Sequence, residues 1–184
     1  MFADKGKETV DASPQASLIA KARKGKTTMA TSSASRAAKA NVKTQEALNK
    51  QVATLGVLYM KLHSFHWNVT GPNFYTLHVK FEELYNAVTL MFDEAAERLI
   101  AIGGKPVSTM KGMLSQSAIK EATEKEDADA MVRAVIDDFA TIASEMKEAA
   151  EAAEKEDDAA TADILTGMVE QLDKHRWMLE KFLG

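Results

Sequence analysis

Two histidines and three carboxylates in the middle of the chain have the types and spacing of metal ligands. His78/Glu82 and Asp93/Glu97 are each four residues apart, so on a helix each pair shares a face. At about 100° per residue, these four side chains fall within an arc of roughly 100° on one helix. His66 precedes them near the end of another apolar-periodic segment. Two imidazoles and three carboxylates suit ferrous iron, and other divalent metals also fit, with ligand positions left open for peroxide or oxygen. The expected chemistry is oxidation of Fe(II) to Fe(III), with the carboxylates stabilising the higher charge. The same spacing also suits ordinary salt bridges, with Arg98 and Lys80 near enough in sequence to supply the cations. On spacing alone, that is the commoner meaning of two such polar pairs.

Helical rise sharpens the expectation. Glu82 and Asp93 are eleven residues apart, which is about 16 Å along a helix axis. One ion cannot touch both pairs of the same chain. Two copies of the helix crossing antiparallel about a two-fold axis would bring His78/Glu82 of one against Asp93/Glu97 of the other. That arrangement predicts two equivalent sites per dimer, each shared between subunits, with His66 completing the imidazole side. A di-iron centre inside one bundle would instead need Glu-x-x-His on two helices, and the sequence has none. His175, the one histidine of the second half, is expected to pack or hydrogen-bond near Trp177.

The elements that must carry these residues are helices. Leu48, Val52, Leu55, Leu58, Leu62 and Phe65 recur at spacings of three and four, predicting a helix from about Thr44. GPN at 71–73 breaks the chain and offers Asn73 as an N-cap. A long second helix follows, with Phe74, Leu77, Phe81, Leu84, Val88, Met91, Ala95 and Leu99 on its apolar side. Gly103-Gly104 and Pro106 stop it. Residues 105–126 read as a connection with a short helix near 113–121. Further helices are expected over about 127–154 and 158–182. Hairpin signals and β-branched clusters are missing. The fold class is therefore all-α: a ferritin-like four-helix bundle with a short helix in its long crossover, plus a basic N-terminal tail.

Composition agrees with one domain and a tail. The chain has 184 residues, 46% of them apolar, which is enough for a core. There is no cysteine, so disulfides, thiolate metal sites and Cys nucleophiles are excluded. No long uncharged apolar run predicts a membrane span. The N-terminus MFADKGKETVDASPQ lacks an apolar signal core, which predicts a cytoplasmic protein. The net charge of −4 conceals a split. Residues 1–50 hold ten bases and four acids, and residues 51–184 hold thirteen bases and 23 acids. Residues 1–43 are poor in large apolar side chains and read as a flexible tail, with 17–24 able to form a short helix. The bundle is assigned to 44–184. Lys5, Lys7, Lys21, Arg23, Lys24, Lys26, Arg36, Lys39 and Lys43 could contact DNA phosphates without reading sequence. Several tails on one particle would multiply that avidity. A solubilising tail is the alternative.

Three segments resemble the Dps family of mini-ferritins. They are FHWNVTGPNFYTLHVKFEELY (65–85), FDEAAERLIAIGGKPVST (92–109) and TADILTGMVEQLDKHRWMLEKFL (161–183). The match runs over about 44–183. The resemblance implies a hollow homo-dodecamer, built from two-fold dimers, that oxidises Fe(II), preferably with hydrogen peroxide. It further implies storage of ferric iron, non-specific DNA binding and association with the nucleoid. Carried over by position, His66 and His78 fall on the family's imidazole ligands, and Asp93 and Glu97 on the acidic pair supplied across the dimer. Trp67 falls on the aromatic beside the site. The family usually has Asp where this chain has Glu82, which keeps the charge and extends the side chain by one methylene. Glu154, Asp158 and Asp163 lie where the family lines acidic iron-entry pores, or else they form a solvated helix end. A DNA-binding shell with weak or absent ferroxidase activity, and a plain helical stress adaptor, are the competing readings.

Overall fold

The computed structural model describes residues 41–184, which form five helices with no strand among the described residues. They are α1 (Val42–Asn68), α2 (Phe74–Ala101), α3 (Met110–Gln116), α4 (Ala128–Lys155) and α5 (Ala159–Leu183). The four long helices are each about 40 Å in length. The segment 17–24 and the basic residues from Lys5 to Lys39 lie outside the described residues. Lys43, assigned by sequence to the tail, is in the first turn of α1.

Cross-helix contacts fix the directions of the bundle. Gln45 reaches Ile102 and His66 reaches His78, so α1 and α2 are antiparallel. Lys50 pairs with Glu145 and Lys61 with Asp138, so α1 and α4 are antiparallel too. Arg98 meets Asp158 and Lys80 meets His175, which sets α5 against α2. Every adjacent pair around the ring α1–α2–α5–α4 is therefore antiparallel. The long crossover runs diagonally from α2 to α4, which are parallel. This is the ferritin-like connection.

The apolar stripes fill the interior. Leu48, Val52, Leu55, Leu58, Leu62 and Phe65 of α1 are buried, as are Leu77, Phe81, Leu84, Val88, Met91, Ala95 and Leu99 of α2. Phe139, Ile142 and Met146 of α4 and Leu165, Met168 and Leu172 of α5 close the core. One ion pair is buried among them: Lys61 Nζ lies 2.6 Å from an oxygen of Asp138. Burial pushes the Asp138 carboxyl up, and Lys61 pulls it back.

Two local expectations are corrected. The crossover helix spans 110–116 rather than 113–121, because the Thr109 side chain accepts from Gly112 N–H and starts it early. Ser117 is extended and ends it. Asn73 does precede α2, but its side chain makes no capping hydrogen bond. The turn is made instead by Gly71 at φ +101°, whose carbonyl accepts from Phe74 N–H. At the other end of α2, Gly103 at φ +86° lets Gly104 N–H reach the Leu99 carbonyl. Among the described residues no helix is long and apolar enough to cross a membrane.

Candidate metal centre

The last turn of α1 and the second turn of α2 face each other across the tight 69–73 turn. Helix α1 ends with carbonyls that have no intrahelical donor. His78 supplies one: its Nδ1 lies 2.8 Å from the His66 carbonyl oxygen. His66 returns the contact, its Nδ1 lying 2.8 Å from the His78 carbonyl. A carbonyl only accepts, so each Nδ1 carries the proton and donates. Each Nε2 is left with a free lone pair, which is the tautomer a metal-binding imidazole needs. The two rings stack at 3.7 Å between centroids and 20° between planes. Phe74 stacks on the outer face of His78 at 5.0 Å.

Two residues that the spacing argument missed belong to this cluster. His63 sits one turn before His66, and its Nδ1 donates to the Tyr59 carbonyl at 3.0 Å. Its ring stacks on Tyr85 of α2 at 3.9 Å. Tyr85 in turn meets the His66 ring edge-on at 5.4 Å. Partial burial pushes the Tyr85 phenol up, and the neighbouring Glu82 carboxylate adds to the rise by charge and hydrogen bonding. The i,i+3 spacing of His63 and His66 was a legible signal. The approach of Tyr85 was not, because it depends on how α2 packs on α1. Trp67 is largely exposed and touches His63 edge-on at 5.3 Å.

The carboxylates stand apart from the histidines' hydrogen bonds. Glu82, Asp93 and Glu97 are exposed, and none of them enters a salt bridge among the described residues. The cations that could have neutralised them go elsewhere. Arg98 binds Asp158 and Thr161, and Lys80 binds Glu83. Within one chain, no three His, Asp or Glu groups converge as a metal site among the described residues. The three carboxylates share a stripe of α2 with Tyr75, Val79, Leu90 and Ile100. Positions 75, 79, 82, 86, 90, 93, 97 and 100 lie within about 80° of one another. Those four apolar side chains are 59–83% exposed, a row of large apolar groups on a helix that otherwise buries its apolar residues.

The other expected positions divide. Asp158 is buried, caps α5 by accepting from Thr161 N–H and pairs with Arg98, so its carboxylate serves the fold. Burial opposes its ionisation, but the Thr161 and Arg98 contacts outweigh that and hold the carboxyl low. Glu154 and Asp163 are exposed. His175 does not contact Trp177, two residues on, because residues so spaced diverge on a helix. It lies 3.5 Å from Lys80 and 3.8 Å from Glu83, with Phe139 nearby. Burial, and then the Lys80 charge, push its pKa down.

Comparison with known proteins identifies the fold. A ferritin-like domain profile matches residues 45–184. The DNA protection during starvation protein of Brevibacillus brevis is 52% identical over 136 residues, covering 74% of this chain and 91% of that protein. The crystal structure of a Dps protein from Bacillus brevis superposes with a TM-score of 0.78 at 49% identity, covering 79% of this chain and 98% of that one. A structure of Dps from Listeria innocua soaked with cobalt gives 0.75 at 41% identity, over 78% and 93% of the two chains.

Proposed function

This chain belongs to the ferritin-like family and, within it, to the Dps proteins, and from that premise we propose that it oxidises Fe(II) at sites shared between two-fold-related subunits. Hydrogen peroxide is the preferred oxidant. The ferric product is stored inside a hollow dodecamer, and the basic tail binds DNA without sequence preference. Together these activities protect DNA from oxidative damage in a cytoplasmic, nucleoid-associated particle.

One observation carries the reading: the reciprocal His66–His78 hydrogen bonds, which leave both Nε2 atoms free. Each ring commits one nitrogen to the fold and keeps the other for a ligand, as an oriented metal-binding imidazole does. The exposed Glu82, Asp93 and Glu97, none of them in a salt bridge among the described residues, supply the anionic half of the donor set. Iron here is substrate. His66, His78 and Glu82 of one subunit, with Asp93 and Glu97 of its mate, would bind Fe(II) and favour the Fe(III) that forms. Two Fe(II) ions give one electron each to one peroxide, which takes up two protons and leaves as two waters.

The shared geometry is supported by the exposed stripe. Tyr75, Val79, Leu90 and Ile100 would be covered by a second copy of α2 running antiparallel, the same motion that brings imidazoles to acids. Glu154 and Asp163 are proposed to line an acidic entry for Fe(II).

Stopped-flow oxidation of Fe(II) by peroxide tests the centre, with the His66→Ala/Asp93→Ala protein as control. A wild-type rate well above the control is expected. No excess over the control would leave a DNA-binding shell as the better account. For the tail, gel shifts compare the full chain with one beginning at Asn41, which keeps the whole of α1. The full chain is expected to bind DNA more tightly, with affinity falling steeply as salt rises. Equal affinity removes the tail from the account.

A further inference from the structure

Among the described residues, polar contacts join α2 to α5 toward both ends of their seam. Near the end of α2, Arg98 meets Asp158 and Thr161 at the start of α5. Toward the other end, Lys80 Nζ lies 2.9 Å from Glu83 Oε1 and 3.5 Å from His175 Nδ1. The Lys80 and His175 side chains are 13% and 14% exposed. Lys80 also lines an apolar groove with Leu77, Val79, Met178, Leu179 and Phe182. An ammonium can only donate, so the Nδ1 beside it is the bare, accepting nitrogen of a neutral ring.

We propose that the Lys80–His175 contact is an acid-released latch: a proton on His175 expels Lys80 and opens one end of the seam between α2 and α5. A charged ring has no lone pair for the ammonium and would hold a second cation 3.5 Å away. Lys174, on α5 itself, adds further positive charge. On the α4 side the ring meets Phe139, and the neighbouring Asp138 is already bonded to Lys61. Glu83, 3.8 Å from His175 Nδ1, then exchanges Lys80 for the charged ring. Burial and the Lys80 charge push the His175 titration below the ordinary 6.5. The latch therefore holds at neutral pH and releases in mild acid. The Arg98 end does not follow, because no histidine takes part and the Asp158 carboxyl is held below the ordinary 3.8. Release at one end with retention at the other makes the seam open from the Lys80 side.

Brief reductive methylation of the assembled, full-length protein, read by peptide mass spectrometry, tests the latch without metal or activity. Lys80 labelling is scored against Lys155, whose side chain is 76% exposed, so the reagent's own pH dependence cancels. From neutral pH to about pH 5 the ratio should rise toward about sixfold, the quotient of 76% and 13% exposure. In His175→Gln the ratio should stay flat, since the amide takes up no proton. Glu83 is exposed, so Glu83→Gln is a second variant that leaves the interior untouched. It removes the carboxylate that favours the charged ring, and its step should move to lower pH. A flat ratio in wild type overturns the latch. So does an undiminished step in His175→Gln, or a step in Glu83→Gln that stays in place or moves to higher pH.

Discussion

His66 and His78 each donate a ring N–H to the other's backbone carbonyl, both at 2.8 Å. The pair therefore terminates α1 while leaving one ring nitrogen of each histidine out of these hydrogen bonds. His78→Ala should test both features. It leaves the His66 carbonyl without its donor, and stability to urea should fall by about 1–2 kcal/mol. Metal affinity should fall at least tenfold. Loss of affinity with unchanged stability would mean that the ring does not cap the helix.

Sharing between subunits has a distinctive signature in hybrids. Chains carrying His66→Ala/His78→Ala and chains carrying Asp93→Ala/Glu97→Ala should each be inactive alone as homo-oligomers. Co-refolded, a mixed two-fold dimer has one intact site and one with all four groups missing. Up to half the wild-type oxidation rate per mixed dimer is the expected recovery. Zero recovery in verified mixed particles would place all ligands within one chain.

The buried Lys61–Asp138 pair should be costly to break and cheap to replace. Asp138→Ala strands the Lys61 ammonium in the core and should destabilise by about 3–5 kcal/mol. Lys61→Met/Asp138→Leu fills similar volume without charge and should recover most of that loss in denaturant unfolding. A single variant as stable as wild type would show that water reaches the pair.

Acid sensitivity should trace to two helix caps. Glu156 accepts from Thr44 Oγ1 at 2.7 Å and from the backbone N–H groups of Thr44 and Lys43, tying the start of α1 to the end of α4. Partial burial opposes its ionisation, but these hydrogen bonds prevail and hold its carboxyl below the ordinary 4.5. Asp158 is likewise held below the ordinary 3.8. Both are depressed in the folded state, so their stabilisation is complete above the ordinary values and is lost as pH falls through the depressed ones. Thermal unfolding across that acid range should show a shallower pH slope in Glu156→Gln and Asp158→Asn than in wild type. Slopes that match wild type would assign the acid sensitivity to other groups.

Much of this protein was legible along one dimension. The three-and-four spacing of Leu48 to Phe65 and of Phe74 to Leu99 sets the long helices, because burial repeats with the helical turn. The positions of His78, Glu82, Asp93 and Glu97 on one face of α2 follow from the same period, and so does their separation along the axis. The Arg98 and Lys80 alternatives could not be decided that way. Both cations were near in sequence, yet α5 offered Arg98 a buried partner in Asp158, and Glu83 took Lys80.

The ring nitrogen that each histidine leaves free, the approach of Tyr85 to His63 and His66, and the commitment of Asp158 to a cap were decided by packing. Periodicity specifies which face a side chain occupies. It does not specify the height or rotation at which a neighbouring helix meets that face, and hydrogen bonds a few ångströms long depend on both.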